Sequence, residues 1–110
     1  MKYLCLAYGD GTDWEQLTDI EQKSLLAQDD VLRRRGDIVV AVQGPVTTLR
    51  AWDGKPHTSN EAFAQSRVPL AGCGIVEAEN LDEAIRLLKD TPCARANGAI
   101  ELHPIHSINL

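Results

Sequence analysis

Long apolar runs are missing from this sequence: the longest strongly apolar stretch, Ile38 to Val42, is five residues, far short of the roughly 20 that cross a bilayer as a helix. A transmembrane helix is excluded on that ground. Met1-Lys2 followed by the apolar Tyr3 to Tyr8 has the outline of a secretory leader, but the stretch stops at Gly9-Asp10 and no small-residue cleavage site follows. The segment reads instead as a strand of the mature protein. Positive charge is also in short supply. Eleven Lys and Arg against 16 Asp and Glu give a net charge of -5, and a chain without a basic face cannot displace the counterions of a phosphate backbone. Nucleic acid and membrane are therefore not expected as partners. Cysteine is scarce and odd in number: Cys5, Cys73 and Cys93 show no CxxC spacing and fit a reducing cytoplasm better than a disulfide framework.

What is present is an ordinary globular composition, 44% apolar and 25% charged with 8 Gly and 5 Pro, over a length that suits a single domain spanning residues 1–110. A chain of this size buries only about 60 to 70% of its unfolded surface, so self-association adds useful stability. Lys2 to Tyr8 alternates and reads as a first strand ending at the turn Gly9-Asp10-Gly11, with Trp14 in the following loop. Thr18-Asp19-Ile20-Glu21 has the form of a capping box and starts a helix. That helix carries Leu25, Leu26 and Leu32 inward, places Arg33-Arg34-Arg35 at the negative end of its dipole and stops at Gly36.

Ile38 to Gln43 is a β-branched run, Gly44-Pro45 is turn chemistry and Val46 to Trp52 resumes a strand pattern, so the pair reads as a hairpin closed by Asp53-Gly54. Residues 55–71 have no clean period and read as a long loop, with Phe63 as an apolar anchor. Gly72 to Ala78 reads as a strand, Asn80 caps a second helix ended by Thr91-Pro92, and Ala99 to Ile105 forms the last strand. The order β-α-β-β-β-α-β is α+β: a ferredoxin-like split βαβ antiparallel sheet with an extra hairpin strand. Two helices cover one face of such a sheet. The other face, on which Trp52, Val76 and Ile105 are expected, suits a second subunit.

Several separated segments resemble the YCII-related family, in its DGPF-type branch, over nearly the full length. Met1-Lys2-Tyr3-Leu4 through Tyr8-Gly9-Asp10 is similar to that branch's MKYMLLIYGDE-like opening, and Thr47-Thr48-Leu49-Arg50 with Asp53-Gly54-Lys55 to its TTVR…DGK hairpin. Leu70-Ala71-Gly72-Cys73, Asn80-Leu81-Asp82-Glu83-Ala84 and the segment from Gly98 to Ile105 resemble its L-G-G-aromatic, D-L-D-E-A and G-A-I-E-V-R-P-I segments. The resemblance implies a ferredoxin-like homodimer assembling as a dimeric α/β barrel, in a family where some members have a proposed His/Asp acid–base pair. The departures fall on polar positions. Asn60 to Arg67 stands where the branch has DGPF-A-E-T-K, so Asn60 replaces an acid, and His103 replaces an Arg.

Glu101 and His103 share one face of the last strand and are the catalytic candidates, since an imidazole beside a carboxylate serves acid–base chemistry near neutral pH. Arg50 has the parity of Thr48 and Trp52 and is the candidate for holding an anionic group bidentately. Tyr8, Trp52, Asn60 and Phe63 complete the ligand-binding set, although Asn60 cannot be a carboxylate base. A purely structural ion-pair cluster at a dimer seam is the alternative for Arg50, Glu101 and His103. His57 lies near Asp53, the position of a dyad if the loop folds back. His103-Pro104-Ile105-His106 does not present two rings to one metal, and no motif requires a metal or a cofactor. The expected function is a small cytoplasmic homodimer binding a small, anionic organic ligand in a sheet-face cleft, with acid–base catalysis. The alternative is a non-catalytic ligand-sensing or protein-interaction module.

Overall fold

A computed structural model describes residues 1–109. Its first strand lies where the alternation puts it: β1 (Lys2–Tyr8) buries Tyr3 and Cys5 on one face and turns Lys2 and Leu4 to the other. The next residues depart from the expected turn and loop. Asp10 accepts a hydrogen bond from the Asp13 N–H at 2.9 Å and caps a short helix, α1 (Gly11–Glu15), in which Trp14 is half-buried. A capping carboxylate that satisfies an orphan N–H is enough to start a turn of helix there.

Helix α2 (Asp19–Arg35) carries the expected capping box, with Glu21 N–H donating to Thr18 Oγ1 and Thr18 N–H donating to Glu21 Oε1, both at 3.1 Å. It stops at Gly36, whose φ of 94° is left-handed and free of Cβ strain only for glycine. Helix α3 (Leu81–Leu88) begins at Asn80, which accepts from the Glu83 N–H at 2.9 Å. Pro92 follows α3 and opens a further short helix, α4 (Pro92–Arg95), because the first helical position has no use for the N–H that proline lacks.

Strands β2 (Ile38–Ala41), β5 (Leu70–Glu77), β1 and β6 (Ala99–Pro104) form one antiparallel sheet in the order β2-β5-β1-β6. With α2 and α3 as its crossover helices this is the expected ferredoxin-like α+β architecture. The sheet is open, and one chain closes no barrel.

The hairpin is a correction. β2 does not pair with the segment beyond Gly44-Pro45, a peptide bond that is cis. It pairs with β5, setting Ile38 opposite Ile75 and Val40 opposite Cys73, apolar cross-strand pairs that a short polar strand cannot match. Val46 to Trp52 contributes only β3 (Thr48–Arg50), which pairs with β4 (His57–Ser59) in a separate two-stranded arm. The stretch 55–71 thus supplies a strand, and Trp52 lies in the turn of the arm, 68% exposed.

Val76 is a second correction. It lies opposite Tyr3 and is 2% exposed in the core with Cys5, Leu32, Ala84 and Leu88, so its parity belongs to the helix side of the sheet. The open side carries Leu4, Ile38 and Val40, which remain 36%, 52% and 41% exposed, together with Leu6, Cys73 and Ile75 in the same registered rows.

Candidate functional site

Strand β6 is an edge strand, and its alternation sorts its side chains cleanly. Ile100 and Leu102 pack against the core, while Glu101 and His103 stand on the open face opposite Leu6 and Leu4 of β1. His103 Nε2 lies 3.3 Å from Glu101 Oε1, with both side chains more than half exposed. Spacing by two on a strand puts these groups on one side and within reach of each other.

One strand-width away, Tyr8 lies opposite Ala99 at the end of β1. Between this pair and the segment Ala64 to Val68 opens a cleft of about 430 Å³ that Tyr8, Arg67, Asn97 and Glu101 help to line. Arg67 is fixed at its rim. Its Nη2 donates to the Asn97 carbonyl and lies 3.7 Å from Asp13 Oδ2. Asn97 has a φ of 57° in the turn between α4 and β6, a conformation asparagine tolerates better than most residues.

Arg67 was not among the residues singled out from the sequence. It lies in a segment without a period, but Ser66-Arg67 keeps the hydroxyl-then-cation chemistry of the Thr-Lys that ends the DGPF motif, and that was the available signal.

Arg50 is placed elsewhere. Its guanidinium carbon lies 5.0 Å from the Trp52 ring centroid and 5.9 Å from that of Phe63, cation–π distances. Among the described residues, no hydrogen bond or ion pair links Arg50 to Glu101 or His103. The Trp52 ring also stacks on His57 at 4.3 Å with an interplanar angle of 20°. His57 Nε2 in turn lies 3.1 Å from both Asp53 oxygens. The Asp53 carboxyl is held below its usual range, chiefly by the Lys55 N–H and then by His57. The loop therefore does fold back into a His57–Asp53 pair, at the exposed tip of the arm. Asn60 follows β4 and is exposed. Phe63, expected as a buried anchor, is 75% exposed, because the arm packs on no core of its own chain.

The cysteines are all free. Cys93 is half-buried and lies against Gly9, where an added Cβ would approach its Sγ to 3.2 Å. Burial raises its thiol first, with Asp29 adding to the effect. Burial of Cys5, together with the nearby Asp37 charge, pushes that thiol up to about 11.

With this geometry in place, the comparison with known families is direct: the YCII-related domain is matched over residues 1–109. The chain belongs to the YCII-related family. No curated protein sequence matches it. Among solved structures it is similar to 5-chloro-2-hydroxyhydroquinone dehydrochlorinase (TftG) from Burkholderia phenoliruptrix AC1100, in complex with 2,5-dihydroxybenzoquinone. The identity is 17%, with 96% of this chain and 93% of that chain covered and a TM-score of 0.49. No helix among the described residues is long and apolar enough to cross a membrane.

Proposed function

We propose that this YCII-related protein, of the DGPF type, is a cytoplasmic homodimer that binds a small anionic organic molecule in the cleft between Tyr8, Arg67 and Glu101. In this reading His103 and Glu101 act as its acid–base pair. The observation that carries the reading is the cleft itself, lined by the Arg67 guanidinium, the Tyr8 phenol and the Glu101 carboxylate, with the His103 imidazole 3.3 Å from that carboxylate just outside the lining. Arg67 holds the anion by a charge-assisted hydrogen bond. The imidazole takes or gives the proton, and Glu101 orients it.

Self-association is supported by the open face. Leu4, Ile38 and Val40 there, and Leu49, Trp52 and Phe63 on the arm, are large apolar side chains left 36% to 75% exposed, and clusters of exposed apolar side chains mark interaction surfaces. A second copy laid on that face closes the sheet into a barrel and brings the partner's arm over the cleft. Arg50, Trp52 and Phe63 then line the ligand as the sequence suggested, with Asn60 beside them.

Titration of benzoate against benzyl alcohol tests the site. Arg67→Ala should weaken benzoate about tenfold to a hundredfold and leave the neutral alcohol unchanged. An unchanged benzoate affinity would remove Arg67 from the site.

The non-catalytic reading is favoured by one observation: Glu101 and His103 engage each other at 3.3 Å, and His103 does not line the cleft. A pH profile separates the two roles. A catalytic pair gives a turnover rate that Glu101→Gln shifts along the pH axis, whereas a sensor gives binding without turnover.

A further inference from the structure

On the other side of the sheet, beneath α2 and α4, lies a second cavity of about 180 Å³. It exists because the sheet positions under the helices are small: Cys5 and Ala7 on β1, Gly72 and Gly74 on β5. Substitution cannot simply fill it from β5. A Cβ at Gly72 or Gly74 would lie 2.3 or 2.4 Å from the carbonyl oxygens of Val40 or Ile38, so the close approach of β2 demands glycine. Leu32, Val76, Leu88 and Ile100 make the remaining walls apolar.

One polar group on this wall is unengaged. Asp29 of α2 is half-buried, and among the described residues its carboxylate has no hydrogen bond or ion pair. Burial raises its pKa, with Arg33 opposing and Asp30 assisting. The neighbouring polar groups are spoken for. Arg33 is bound by Asp30 at 2.8 Å, and the Thr91 hydroxyl donates to the Leu88 carbonyl at 2.6 Å. Cys93 is a neutral thiol at neutral pH, its pKa raised by burial.

A mostly apolar pocket, open to solvent on one side, with a single unpartnered carboxylate at its wall is complementary to a slim apolar body carrying one cationic donor. We infer that this cavity is a binding site for a small primary amine with an aromatic or short aliphatic body, its ammonium seated on Asp29. The size fits one ring with a short substituent, since an engineered dry cavity of about 150 Å³ takes benzene. The site lies on the opposite sheet face from the Tyr8–Arg67 cleft, prefers the opposite charge and stands independently of the function proposed for that cleft.

Benzylamine, protonated at pH 7, is the probe, with toluene as its neutral counterpart, followed by amide NMR shifts of the full chain. Benzylamine should bind roughly tenfold to a hundredfold more tightly than toluene. It should move the amides of Ala7, Gly72, Gly74 and Cys93, and leave those of Arg67 and Glu101 in place. Asp29→Asn should abolish the preference for the amine while toluene still binds. That variant keeps the fold, because burial already penalises the charged carboxylate. The inference is overturned if benzylamine binds no better than toluene, if Asp29→Asn leaves the preference intact, or if the shifts map to Arg67 and Glu101 instead.

Discussion

The two faces of the four-stranded sheet are built from the same strands and the same alternation, yet they meet opposite fates. On the helix side, Tyr3, Cys5 and Val76 are at most 5% exposed beneath Leu32 and Leu88. On the open side, Leu4, Ile38 and Val40 are as apolar and stay at least 36% exposed, with Glu101 and His103 beside them. Alternation sets which residues share a face; it does not say what covers that face. The two long helices, α2 and α3, cover one side only, and the other presents both an apolar platform and the polar groups at its edge.

The sharpest test of that contrast is truncation on the closed side. Leu32→Ala should cost about 2 to 5 kcal/mol, since it removes a 3% exposed side chain from the core. Urea unfolding at two protein concentrations measures it, and the loss should be independent of concentration. Leu4→Ala on the open side should cost far less in dilute solution and more as the concentration rises. Equal, concentration-independent costs would erase the distinction between the faces.

The next effect is alkaline. The Cys5 thiol titrates at about 11 in the folded chain against 9.0 for an unperturbed thiol, burial being the main cause. Between those values the unfolded chain has released a proton that the folded chain keeps, so stability falls as pH rises. The loss should be on the order of 2 kcal/mol by pH 11. Cys5→Ala should flatten the slope that remains after the other titrations are subtracted. A slope unchanged by Cys5→Ala would mean that the thiol is not confined to the closed face.

These contrasts also mark what could be read in the sequence. β1, α2, α3 and β6 were legible because their signals are local: alternation in Lys2 to Tyr8, the Thr18–Glu21 and Asn80–Glu83 caps, and the parity of Glu101 with His103. Strand partners were not, because pairing is a contest between distant segments. β2 chose Ile75 and Cys73 over the nearer Thr48 to Arg50, and the partner of β3 is His57-Thr58-Ser59, a polar triplet with no alternation to announce it. Val76 shows the same gap, since its face depends on a register with Tyr3 fixed across the sheet. At the site, the carboxylate–imidazole pair followed from period two. Arg67 did not, because its position depends on the chain crossing beside Asn97, a contact between residues 30 apart in sequence.

A smaller test probes the caps that hold the covering layer. Thr18→Ala removes the side-chain acceptor at the start of α2 and should cost about 1 kcal/mol, measured by thermal unfolding. A loss well above that would mean that Thr18 also packs against the covered face.

The most direct measurement is sedimentation velocity at micromolar concentration on the wild type and on Val40→Asp, which sets a charge among the exposed apolar side chains of the open face, on its edge strand β2. A face built for a second copy gives a wild-type species of twice the 12.1 kDa chain mass and a folded monomer for Val40→Asp. A wild type that sediments as a 12.1 kDa monomer would contradict the account.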